Sequence, residues 1–189
     1  MALGELAVRD APVHLHAAYT LGGVVPYERF FVDDTDGGKG THYSYPADDI
    51  AAMLKSARQS WSQLSAKDAR SPPFGNRRWD HWVLVQALAT VVANFKGSWS
   101  AAVFGSQEPW AETYLLAAGA SEVLTIEYNN LTYEHPALRT LTVAALEEQL
   151  AAGAPPQVDV ALSLSSFDHD GLGRYGDPLR PEGDLRAME

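Results

Sequence analysis

Apolar positions along the chain change their rhythm twice. Up to Pro46 they follow no period: Tyr27–Val32 (YERFFV) forms the only compact apolar stretch, and the turn formers from Asp33 to Gly40 behind it read as a surface loop. After Pro46, the residues Ile50, Met53, Leu54, Ala57, Trp61 and Leu64 recur every three or four positions and so share one face of a predicted helix. Asp48 and Asp49 fall in its first turn, where the positive end of the helix dipole favours carboxylates. Ser71–Asn76 (SPPFGN) cannot continue a helix and reads as a linker. A second helix is predicted from about Trp79 to Phe95, with Trp82, Val85, Leu88, Val91, Val92 and Phe95 apolar; so much of its circumference is apolar that it is expected to be sandwiched.

From Ser100 the rhythm becomes strand, turn, helix, strand. Ala101–Phe104 reads as a short buried strand ending at Gly105, and Pro109–Ala118 as a helix with Pro at its start and Gly119 past its end. Val123–Tyr128 is a β-branched second strand, Arg139–Val143 a third, Ala144–Ala152 a helix and Val158–Leu164 a fourth strand. Strands alternating with helices argue for parallel βαβ units. The fold class expected is therefore α/β with a Rossmann-like parallel sheet over residues 99–189, preceded by an N-terminal extension, residues 1–98, with two helices.

Composition narrows the function classes. A hydrophobic fraction of 46% in 189 residues is enough for a real core, and the net charge of -10 would repel a phosphate backbone, so no nucleic-acid partner is expected. With no cysteine there is no disulfide, thiolate zinc site or cysteine nucleophile, which fits a reducing compartment. Met1–Asp10 carries Glu5, Arg9 and Asp10 and does not read as a secretory signal, and no window approaches the roughly 18 apolar residues of a membrane span. A cytoplasmic protein without a membrane span is the expectation.

In a parallel α/β sheet, ligands bind beyond the carboxyl ends of the strands. The first segment there is Gly105-Ser106-Gln107-Glu108, where a glycine permits a tight turn and the free amides of the following helix offer hydrogen bonds. A glycine needed by the turn alone is the plainer alternative. Glu108 at a helix start would repel a pyrophosphate, which disfavours NAD and is better tolerated by a cationic sulfonium. The second segment is Glu127, 22 positions after Gly105, close to the spacing of about 20 at which a carboxylate meets ribose hydroxyls; a solvated or capping Glu is the alternative. The third is Ser165–Gly171, where Asp168 and Asp170 flank His169, a grouping suited to general acid or base work. An ordinary polar loop explains the same residues, and a metal site is not expected. His14 and His16 read as an incidental surface pair.

Together these segments resemble the family catalogued as domain of unknown function 268, itself similar to class I S-adenosylmethionine-dependent methyltransferases. The resemblance spans Trp99–Glu189 and rests on VFGSQEPWAETYLLAAGASEVLTIEYN, on Glu134-His135-Pro136, and above all on SSFDHDGLGRYGDPLRPEGDLRAM. It implies that Gly105, Ser106 and Gln107 line the methionine part of the cofactor, Glu127 the ribose, and Phe167–Asp170 its reactive end. His169 or Asp168 would then be the base, and Arg174 and Tyr175 would contact a small-molecule or sugar-like substrate. It also implies a sheet in the order 3-2-1-4-5-7-6. Because the chain ends at Glu189, the sheet is expected to be truncated after strand four, with Val158–Leu164 a bare edge open to self-association. Ser106, Gln107 and Glu108 stand where methyltransferases carry further glycines. The leading expectation is a methyltransferase-like protein of unknown substrate, inactive if truncation has removed essential strands. A non-catalytic nucleotide- or partner-binding module is the alternative, and a Rossmann enzyme using NAD or a nucleotide sugar is the third reading.

Overall fold

The computed structural model describes residues 11–26, 41–64 and 79–188. Met1–Asp10, the apolar stretch Tyr27–Val32, the loop Asp33–Gly40 and the linker Ser71–Asn76 lie outside the described residues.

The described residues open on a 3-10 turn, Val13–Leu15, continuing into the short helix α1, His16–Tyr19. Strand β1, His42–Tyr45, precedes helices α2, Ala47–Leu64, and α3, Trp79–Val92. Then come β2, Ser100–Phe104; α4, Trp110–Ala117; β3, Glu122–Glu127; β4, Asn130–Tyr133; β5, Leu138–Thr142; α5, Val143–Ala151; and β6, Val160–Ser163. A 3-10 turn at Phe167–His169 and the short helix α6, Gly183–Ala187, complete it.

The main sheet has the order β5-β3-β2-β6, all parallel. In terms of the four strands expected from the sequence this is third, second, first, fourth, the order of a Rossmann-like half sheet. Alternate residues explain its two covered faces. Ala101, Val103 and Val123 face a core shared with Ile50 and Ala57 of α2, Leu84, Val85 and Leu88 of α3, and Ala111, Tyr114 and Leu115 of α4. Ala102, Leu124 and Ile126 face the other way, toward Leu141, Val143 and Leu146. Among the described residues β6 pairs with β2 alone.

Two features differ from the sequence reading. His42–Tyr45, read as irregular, is a strand, and it pairs in parallel with β4 from His42↔Asn130 to Tyr45↔Tyr133. Its partner is 88 positions away in register, a pairing that no local pattern announces. Over residues 84–92, helix α3 is not sandwiched: Leu84, Val85 and Leu88 are buried, but Ala87, Ala89, Thr90 and Val91 are exposed. Its apolar circumference exceeded the contact surface that α4 and the sheet offer. None of the described helices is long and apolar enough to cross a membrane.

Candidate functional site

Beyond the carboxyl ends of β2, β3 and β5 lies a cavity of about 980 Å³. One wall is the turn Gly105–Glu108, another is Glu127 and Tyr128, a third is Phe167, Asp170 and Tyr175, and its apolar end is formed by Val143, Leu146 and Pro156. The turn after the first sheet strand, the acidic end of the second and the loop after the fourth are therefore brought to one place.

Gly105 has φ +71, a conformation that favours glycine, and a Cβ there would stand 2.1 Å from Ser166 Oγ and 2.5 Å from Ser166 Cβ. The turn after β2 and the loop after β6 thus pack directly on each other, and Phe104 meets Phe167 edge to face at 5.2 Å between ring centroids. The turn is also held from beneath. Tyr133 Oη on β4 lies 3.0 Å from Ser106 O and 2.9 Å from Gln107 O, within reach to donate to either carbonyl of the turn. That contact is what the small β1–β4 sheet contributes to the site.

Glu127 is only 5% exposed although it lines the cavity. Its Oε1 accepts hydrogen bonds from the Asn129 backbone N–H (3.2 Å) and from Asn129 Nδ2 (3.1 Å), and Asn129 Oδ1 in turn accepts from the Thr41 N–H (3.2 Å). Burial raises the Glu127 pKa, against the lowering effect of the hydrogen bonds from Asn129 and the Tyr128 amide. The carboxylate is thus oriented rather than solvated.

Of the remaining predicted residues, Ser106, Gln107, Phe167 and Tyr175 line the cavity. Asp168 and His169 do not; their carboxylate and imidazole stand 3.8 Å apart beside it, with Asp168 60% exposed and held by Ser165 Oγ at 3.1 Å. Arg174 lies with its guanidinium carbon 5.0 Å from the Tyr175 ring centroid. His14 and His16 are far along the chain on the N-terminal turn, where His16 Nε2 contacts Ala11 O at 2.7 Å. Among the described residues no three His, Cys, Asp or Glu side chains are grouped to hold a metal ion.

Sequence reasoning named Asp170 only as part of the loop after the fourth strand and missed Tyr128, Asp177 and Glu112. Asp170, rather than Asp168 or His169, faces the cavity, and its pKa is raised by burial, against a hydrogen bond from Tyr128. Tyr128 is shifted up by burial and by Asp170, so that pair bridges the loops after β3 and β6. Asp177 is 6% exposed and gathers backbone amides: Oδ2 accepts from Gly171 N (2.8 Å) and Gly173 N (2.9 Å), and Oδ1 from Tyr175 N (3.2 Å). Glu112 is fully buried in α4, with Thr125 Oγ1 donating to Oε1 at 2.7 Å and Ser106 Oγ 3.1 Å from Oε2. A Glu inside the apolar run WAETYLLA is a signal for such a residue, since a lone carboxylate on a fully enclosed helix must have partners.

Residues 98–189 match the model of the family described as Caenorhabditis protein of unknown function, DUF268, which supports assigning that segment, the one carrying the main sheet and cavity, to the domain of unknown function 268. No curated protein and no solved structure matches the chain.

Proposed function

We propose that the cavity is a nucleoside-cofactor site and that the chain is a methyltransferase-like protein that takes S-adenosylmethionine. The observation that carries this reading is the buried, Asn129-oriented Glu127 carboxylate at the end of β3, beside the Gly105 turn, whose Gly105 N–H donates to the Ile126 carbonyl at 2.9 Å. A carboxylate so fixed accepts two hydrogen bonds from a vicinal diol. The charges fit the same ligand class: Glu108, Glu127, Glu147 and Asp170 line the cavity against Arg180 and Arg186, a balance that suits a cation better than a pyrophosphate. The apolar end at Val143 and Leu146 suits a flat heterocycle.

When bound, S-adenosylmethionine supplies an electrophilic methyl group on a sulfonium. The chain's own part is to hold the acceptor in line with that carbon and, for an acceptor that must lose a proton, to receive it. In this reading Phe167 packs at the reactive end, Asp168 or His169 takes the proton, and Arg174 and Tyr175 contact a small-molecule or sugar-like acceptor.

One observation favours a second reading, a non-catalytic nucleotide- or partner-binding module: Asp168 and His169 stand beside the cavity and not in its wall. Calorimetry with S-adenosylmethionine, S-adenosylhomocysteine and NAD separates these readings. Binding of the adenosyl ligands but not NAD, weakened at least about ten-fold (about 1.4 kcal/mol) in Glu127→Ala, is the expected result. Equal affinity for all three, or none for any, rejects the cofactor assignment.

A further inference from the structure

Ser106 Oγ stands 2.9 Å from the Glu108 carbonyl and 3.1 Å from Glu112 Oε2. A hydroxyl has one hydrogen, so it cannot donate to both acceptors. The count closes if Glu112 carries the extra proton: Oε2–H donates to Ser106 Oγ, Ser106 donates to the Glu108 carbonyl, and Thr125 Oγ1 donates to Oε1. If the carboxyl ionises, Ser106 must turn its hydrogen to Oε2, because a buried charge is the costlier acceptor to leave unserved. The Glu108 carbonyl then keeps only its bond from Trp110 N at 2.7 Å, and the tie across the turn is lost.

The surroundings favour the proton. Burial pushes the Glu112 pKa up to about 7, against the lowering hydrogen bonds from Thr125, its own backbone and Ser106. No charged group offsets this among the described side chains packed against it. From β4 it faces Tyr133, whose own pKa burial and Glu112 push up. From β3 it faces the hydroxyl of Thr125, while the charged residues of α2, Asp48, Asp49, Lys55 and Arg58, are all exposed.

We propose that Glu112 is a positioning residue: protonated, it holds the cavity-lining turn Gly105–Glu108 in its binding shape through the chain Glu112 Oε2–H to Ser106 Oγ–H to Glu108 O, and ionised, it releases that turn. The consequence for ligand rests on the adenosyl reading of the cavity. The geometry of the turn does not.

The test has two arms on the full chain. Without ligand, carbon-13 carboxyl shifts of Glu112 and amide shifts of Ser106–Glu108 are followed against pH. The carboxyl should titrate near neutrality with the turn amides following it. In Glu112→Gln, which donates to Ser106 as the protonated acid does, the amides should stay at their low-pH positions. In Ser106→Ala the carboxyl should still titrate while the turn amides no longer follow. A Glu112 carboxyl already ionised at pH 5, or turn amides that ignore its titration, overturns the proposal. With S-adenosylhomocysteine, wild-type affinity should fall about ten-fold from pH 6 to pH 8 and the Glu112→Gln affinity should not. A wild-type affinity with the same pH dependence as Glu112→Gln refutes the coupling. No binding at any pH, beside a normal ligand-free titration, sinks the cofactor reading and leaves the positioning role standing.

Discussion

Replacing Glu112 by Gln should make the chain more stable at alkaline pH and change how stability varies with pH. The carboxyl moves from an ordinary value of 4.5 to about 7 on folding because it is removed from water. Between those values the folded chain binds more proton than the unfolded chain, so this group's contribution is fully present below pH 4.5 and is lost as pH rises through 7. The shift corresponds to about 3 kcal/mol over the whole window, of which about 2.5 kcal/mol falls between pH 5 and pH 8. Glu127 and Asp170 are shifted in the same direction by burial and act with the same sign, but they are common to both proteins and cancel in the difference. Urea unfolding of wild type and Glu112→Gln at several pH values therefore isolates Glu112. The variant's advantage should grow by about 2.5 kcal/mol from pH 5 to pH 8, with unchanged m-values. A difference that stays constant with pH would mean that Glu112 is ionised throughout the folded state, and the burial argument would fail.

Two further predictions concern the loops that meet over β2. Gly105→Ala should destabilise by about 1 to 3 kcal/mol in urea unfolding, because the new methyl adopts an unfavourable φ and meets Ser166. Adding Ser166→Gly should recover the steric part and leave about 1 kcal/mol, whereas full recovery would show that the backbone conformation costs nothing. Asp177→Ala strips three backbone amides of their acceptor and should cost about 2 to 4 kcal/mol, with faster hydrogen exchange at Gly171 and Gly173. Unchanged exchange at those two glycines would remove Asp177 as the organiser of the loop.

The main sheet was legible because each of its strands is a local signal: AAVF and VLTIEY are bounded by turn residues and alternate with helical segments. Even so, the third and fourth strands shift by a residue or two at their ends, since Val158 and Asp159 precede β6 in the structure. Strand β1 was not legible. HYSY, between the turn formers that end at Gly40 and Pro46, has no apolar run, and its partner lies 88 positions away in register. The site divides in the same way. Gly105 and Glu127 follow from strand position, because a strand's end fixes where its next residue points. Glu112, Tyr133 and Asp177 do not, because their roles depend on which buried acceptors and donors lack partners, a property of the packed structure.

The string Gly171–Pro178 is the most unusual sequence in the chain, and its physical role bears on how much chemistry can be read from it. Gly171, Gly173 and Gly176 have φ of +87, +76 and +90, and a Cβ at Gly171 would stand 2.0 Å from the Arg180 carbonyl. Asp177 collects the amides of residues 171, 173 and 175, the Arg180 N–H closes back on Gly171 O at 2.9 Å, and Tyr19 donates to that same carbonyl. Each feature of the string is thus accounted for by a backbone that doubles on itself without regular structure. Such a loop needs glycines where side chains would collide and a buried acceptor for its otherwise orphaned amides. The product of this construction is placement: it presents Asp170 and Tyr175 to the cavity and leaves Asp168 and His169 outside its wall. The distinctive sequence therefore speaks to the shape of the site. The side chains that this shape brings to the cavity wall are Asp170 and Tyr175, which meet Glu127 and Tyr128 from the end of β3.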